Sequence, residues 1–131
     1  MDKISASVLM LTAMVFMHII ADFNLQGILA EFKQKKWWED NYPDSLYKHD
    51  WIISLITHSF QWSFMMMIPG IIYWIVFSEF NVAYYLFALA LNVATHSYID
   101  HMKANQKVIN LVTDQICHLA QIVLTFIIIV H

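Results

Sequence analysis

Residues 82–103 read VAYYLFALALNVATHSYIDHMK. The first ten are almost wholly apolar. With their polar continuation they reach the ~20 residues that a helix needs to cross a bilayer. The continuation sets His96, Asp100 and Lys103 at spacings of four and three. At about 100° per residue those three share one face roughly 60° wide. The stretch therefore predicts a membrane helix with one narrow ionisable stripe, and the rest of the chain must supply what faces it.

Three more apolar runs do so. Together the four cover about residues 4–30, 51–77, 82–103 and 108–130. Polar connections separate them at 31–50, 78–81 and 104–107. Short connections make successive helices antiparallel neighbours. The prediction is an all-α, integral membrane, four-helix up-down bundle forming a single transmembrane domain over 1–131. Composition agrees: 60% of residues are hydrophobic and 13% charged, where a soluble domain carries about a quarter charged. A net charge of -3 offers no basic face to nucleic acid. One cysteine excludes an internal disulfide. The first run carries His18 and Asp22 and no small-residue cleavage site, so it is expected to be retained rather than removed as a signal peptide.

All seven basic residues are lysines. Lys33, Lys35, Lys36, Lys48, Lys103 and Lys107 lie in or beside the first and third connections; only Lys3 lies at the opposite end. The positive-inside rule places those connections in the cytoplasm and both termini outside, in an inner membrane. Trp37, Trp38, Tyr42 and Tyr47 in the first connection suit either a segment lying in the headgroup layer or a solvated loop.

Every span carries polar residues: HIIADFNLQ with His18, Asp22 and Gln26, SLITHSFQ with His58, the stripe already quoted, and DQICHLAQ with Asp114, His118 and Gln121. Counted from the cytoplasmic ends, Asp22, His58, His96 and Asp114 fall in one layer ~11 Å deep. An ionised residue mid-span costs ~2.5–3.5 kcal/mol. An interhelical hydrogen bond in a membrane returns ~0.6 kcal/mol on average. A divalent metal offsets far more, ~10–16 kcal/mol for structural zinc in small peptides. His18, Asp22, His58, His96, Asp100, Asp114 and His118 are thus candidate ligands for one or two divalent transition-metal ions, zinc or manganese. A purely hydrogen-bonded core is the alternative. His101, His49 and His131 are expected outside the cluster, Cys117 as an apolar filler, 65–67 as packing or lipid-facing methionines, and Pro69–Gly70 as a kink. Lys103 reads as a snorkelling lysine or as a partner for an anion.

At these motifs the sequence resembles domain-of-unknown-function family 3307, small integral membrane proteins of bacteria and phages, from about His18 to Gln121. The resemblance implies Asp22, Gln26, His96, Asp100, Lys103, Asp114, Gln115 and His118 as functional positions. A looser similarity, at Thr95–His96 and Asp100–His101, is to membrane-bound metal-dependent hydrolases.

The favoured function is a metal-dependent hydrolase acting on a phosphorylated, lipid-linked substrate at the cytoplasmic leaflet, with Lys103, Gln26 and Gln121 holding the substrate. A divalent-cation transporter or sensor is the second class, but the outer halves of the spans hold almost no ionisable group, and a transporter needs polar stations reachable from both sides. A structural or partner-binding membrane protein, such as a phage protein altering its host's envelope, is the third. The expected partners are the bilayer and a lipid-linked or small anionic substrate, and a homo-oligomer is compatible with the pattern.

Overall fold

The computed structural model describes residues 2–77 and 79–131. Met1 and Ser78, the latter opening the 78–81 connection, lie outside the described residues. Six α-helices and no strand occur among the described residues. Helix α1 (Lys3–Ile19) is capped by the Asp2 carboxylate, which accepts from the Ser5 N–H, and runs into a π-helical turn at Ile20–Asn24. Gly27, at φ 49°, ends that course, because only glycine takes the left-handed region without steric cost. The first span therefore stops earlier than the apolar run, which continues to Ala30.

The connection then folds into α2 (Leu29–Phe32), α3 (Lys35–Asn41) and a 3₁₀ turn at Ser45–Tyr47. Helix α4 (Asp50–Val76) continues through Pro69. Helix α5 (Val82–His101) is capped by Asn81 and passes into a second π-helical turn at Met102–Gln106. Lys107 follows at φ 57°, ψ 32°, a left-handed conformation that costs a residue with a Cβ ~1 kcal/mol or more. Asn110 caps α6 (Leu111–Val130) through the Thr113 N–H, satisfying one of the donors a helix start leaves unpaired.

Four helical segments are long and apolar enough to cross a membrane: Lys3–Asn24, Ser45–Val76, Val82–Gln106 and Leu111–Val130. Helix α1 packs on α4, α4 on α5, α5 on α6, and α6 returns to α1. Cross-helix pairs run in opposite chain order: Ser7 meets Tyr73, His18 meets Trp62 and Asp22 meets His58. The exterior carries Ile4, Val8, Phe16, Ile53, Phe60, Ile75, Phe87 and Leu124, all exposed, whereas His58, His96, His118, Asp100 and Asp114 are buried. Apolar outside with ionisable inside inverts a soluble protein and suits a lipid surround.

One half of the interior is apolar. Met10, Met14, Trp62, Met66, Met67, Trp74, Ile122 and Ile129 form a continuous core there. The Trp74 indole N–H donates to the Ile129 carbonyl at 2.9 Å and the Tyr84 hydroxyl to that of Ile128 at 3.0 Å, occupying carbonyls that the end of α6 leaves free. The methionines at 66 and 67 are core residues and not lipid-facing. Gly70 is there for close approach: a Cβ on it would stand 2.5 Å from the Ile129 Cδ1 atom. Gly70→Leu is therefore expected to lower the thermal midpoint in micelles by wedging α4 from α6, and Gly70→Leu with Ile129→Ala to recover much of the loss. Additive losses in the double variant would show that the two positions do not meet.

Candidate metal centre

The other half of the interior is polar, and all four long helices build it. The π turn after α1 presents Asp22; α4 gives His58 and Trp62; α5 gives His96 and Asp100; the π turn after α5 gives Lys103; α6 gives Asp114, Gln115 and His118. A π turn inserts an extra residue into the helical register and is frequent at functional sites. Here the two π turns flank the cluster. The first carries Asp22, which Gln115 holds together with His18.

Asp100 lies at the centre. Its Oδ2 is 3.3 Å from His58 Nε2 and 3.6 Å from His96 Nε2, and its Oδ1 is 3.5 Å from His118 Nε2. His118 Nε2 is also 3.4 Å from Asp114 Oδ1, and His58 Nε2 is 3.5 Å from Asp22 Oδ1. The Nε2 atoms of His58 and His96 are 3.3 Å apart. Three overlapping sets have ligand atoms within 4.8 Å of one another: Asp22, His58 and His96; His96, Asp100 and His118; and Asp22, Asp114 and His118. All six of these residues are buried. Asp100 Oδ1, Asp114 Oδ1 and His118 Nε2 have no hydrogen-bond partner. Buried polar atoms are normally satisfied, so these three neighbouring orphans mark a place where a cation fits.

Two lysines brace the carboxylates. Lys33 Nζ donates to Asp100 Oδ2 and Lys103 Nζ to Asp114 Oδ2, both at 2.6 Å. Gln115 ties the acids together, donating to Asp22 Oδ2 at 2.9 Å and to Asp114 Oδ2 at 3.1 Å. The imidazoles are oriented differently. The Nδ1 atoms of His58, His96 and His118 have no hydrogen-bond partner, whereas metal-binding histidines usually donate through the second nitrogen. Stacking supplies orientation instead: Trp62 lies on His96 at 4.2 Å and His96 on His118 at 4.3 Å, both within 25° of parallel (22° and 24°).

Of the seven ligands expected from sequence, six converge. His18 stands beside them with both nitrogens engaged: Nδ1 accepts from the Trp62 indole at 2.8 Å and Nε2 faces Gln115 Oε1 at 3.1 Å. Gln26 donates to the Asp22 carbonyl, and its Oε1 is buried without a partner. Gln121 lies deeper, donating to Asn92 Oδ1 at 2.8 Å and to the Asn92 carbonyl at 2.9 Å, with Thr125 joining at 3.0 Å. His101 stacks on Trp51 at 5.3 Å, outside the cluster.

Sequence reasoning missed Lys33 and Trp62. Lys33 counts as a loop cation by position, yet it is 6% exposed. The connection is clamped to place it: Asn105 donates to the Lys33 carbonyl at 3.1 Å and accepts from the Lys35 N–H at 2.7 Å, while the Trp38 indole donates to the Phe32 carbonyl at 2.7 Å. No periodicity signals such a clamp. Trp62 lies one turn beyond His58 on α4, and an aromatic residue in an apolar run carries no sign that it stacks on an imidazole.

A family model described as protein of unknown function, DUF3307, matches residues 10–131. The chain belongs to the DUF3307 family. The match takes in every residue of the centre. No curated protein and no solved structure matches this DUF3307 chain.

The two lysine braces differ in burial: the Lys33 side chain is 7% exposed and that of Lys103 31%. Removing one partner of a buried ion pair costs ~3–5 kcal/mol. Lys33→Ala is thus expected to destabilise the protein more than Lys103→Ala, as read by thermal unfolding in micelles. Equal losses would contradict the inserted position of Lys33.

Proposed function

We propose that this DUF3307 protein is an integral inner-membrane protein, folded as an up-down four-helix bundle, that uses one or two divalent transition-metal ions to hydrolyse a phosphorylated, lipid-linked compound at the cytoplasmic leaflet. The observation that carries the reading is three overlapping buried groups, together three imidazoles and three carboxylates, whose ligand atoms lie within 4.8 Å of one another in each group. The donor set fits zinc or manganese, which take imidazole and carboxylate together. His58, His96, His118, Asp22, Asp100 and Asp114 would hold the ions. A divalent ion bound there lowers the pKa of water and neutralises charge on a phosphoryl group.

The chain's own residues supply the remainder. Lys33 and Lys103 hold Asp100 and Asp114 by one oxygen each and leave the other toward His118. Gln115 fixes Asp22 against Asp114. Lys103, its ammonium on Asp114 and its side chain 31% exposed, would share its positive charge with an anion that approaches the centre, as phosphoryl transfer requires. Gln26 Oε1, buried and unpartnered, accepts from a substrate hydroxyl. Gln121 donates to Asn92 and ties α5 to α6, and its Oε1, buried and unpartnered like that of Gln26, is a second acceptor for the substrate.

The orientation rests on the lysines: six lie at the end of the bundle nearer the cluster, which the positive-inside rule makes cytoplasmic, and both termini then lie outside. The bundle reading rests on the opposite order of the cross-helix pairs. A second reading, a divalent-cation transporter, draws on Asn92, Gln121 and Thr125, which extend polarity deeper than His96. The packed methionine and tryptophan core beyond them speaks against it.

Purified protein never exposed to chelator or acid is expected to carry one or two equivalents of zinc or manganese by elemental analysis. Asp100→Ala is expected to lose metal and turnover of phosphate-bearing lipids together, and Lys103→Ala to keep metal while turning over more slowly. Metal-free native protein would favour a hydrogen-bonded structural core. Cysteines placed at Ser5 and Lys35 test the orientation: position 35 should label from the cytoplasm and position 5 from outside, and the reverse pattern rejects it.

A further inference from the structure

Above the buried centre lies an open cavity of about 490 Å³. That is within the ~300–1,000 Å³ of small-ligand sites. Its wall includes Gln26, Lys33, Gln34, Lys103, Lys107 and Ile109, and no acidic residue lines it. Two of the lysines connect it to the centre, since Lys33 and Lys103 reach down from this wall to Asp100 and Asp114. The third is different. Lys107 is exposed and has no carboxylate partner among the described residues. It also holds a left-handed backbone, φ 57°, at a turn where glycine would sit without strain. That conformation is a helix C-cap: the Lys107 and Val108 N–H groups both donate to the Met102 carbonyl. A wall of ammonium and amide groups, with one ammonium uncommitted, is chemistry for an oxyanion.

We propose that this cavity is an anion-binding vestibule that receives the phosphate of a phosphate monoester, with Lys107 as its primary contact, before the group meets the buried centre. The proposal deepens the hydrolase reading, on which it rests for the fate of the bound group. Binding itself needs only the vestibule. Lys33 and Lys103 form its floor, and their charge is shared with the carboxylates below. Lys107 supplies the charge that is not shared.

Two probes separate the sources of such a phosphate. In micelles the probe is inorganic phosphate, followed by ³¹P line broadening. In nanodiscs it is phosphatidic acid at a fixed fraction in phosphatidylcholine, followed by retention of the lipid. Native protein is expected to bind at least one of them, more weakly as salt rises. Binding in both, or in nanodiscs alone, assigns a lipid headgroup; binding of inorganic phosphate with no preference for phosphatidic acid assigns a free anion. Lys107→Gln should weaken binding about tenfold or more, the scale of one charge-assisted hydrogen bond, and Lys107→Arg should restore it. Lys107→Gly separates ligand contact from structure: it relieves the left-handed strain, so its thermal midpoint should not fall, yet it should bind as poorly as Lys107→Gln. Native-like binding by the glycine or glutamine variant, or binding of neither probe by native protein, overturns the vestibule. Metal content of the same preparations distinguishes the two readings. Metal present with no anion bound removes the vestibule alone, and anion bound by protein that carries no metal removes the hydrolase reading alone.

Discussion

Asp100 is the constraint around which the helices are arranged. A carboxylate with 1% of its side chain exposed, in a protein whose outer faces are apolar, has no solvent to stabilise it. Its environment must come from neighbouring helices. Lys33 reaches it from the first connection, His58 from α4, His96 from its own helix and His118 from α6. Taking a charge out of water costs several kcal/mol even after relaxation, and only well-placed partners repay it. Each element that contacts Asp100 is thereby fixed in height and rotation relative to α5.

That requirement explains features with no obvious purpose in an ordinary bundle. The π turn at Ile20–Asn24 brings Asp22 round to His58. The π turn at Met102–Gln106 carries Lys103, and Asn105 within it clamps the connection that delivers Lys33. Regular α-helix over the same residues would point these side chains elsewhere. The methionine-rich half demands less. Flexible thioethers fill an irregular gap between helices, and the two indole and phenol donors near the end of α6 close it.

The large elements were legible in the sequence because long apolar runs follow a simple rule. Runs of ~20 apolar residues have one stable form in a bilayer, so α4 appears in the chain almost residue for residue. The ends of the spans were less legible. Ala30 continues an apolar run, but Gly27 turns the backbone before it, and hydropathy does not see a dihedral angle. The cluster was legible from spacing and depth together, which placed Asp22, His58, His96, Asp100, Asp114 and His118 in neighbouring layers. His18 satisfied the same arithmetic. Only the indole of Trp62 and the amide of Gln115, which engage both its nitrogens, set it apart. Lys33 was hidden for the opposite reason: local pattern assigns it to a connection, and a contact 67 positions away in the chain draws it inward.

The stacked column Trp62–His96–His118 has a spectroscopic consequence. Of the five tryptophans, Trp37 and Trp38 lie in the aromatic group of the first connection, Trp51 lies in the first turn of α4, and Trp74 sits in the apolar core. Trp62 alone lies face to face with an imidazole of the polar centre. An indole held rigidly in an asymmetric field gives near-ultraviolet circular dichroism, and a stacked imidazole alters its emission according to its charge and ligation. The protein thus carries a built-in chromophore against its buried polar centre, and events there are visible in light without any attached label.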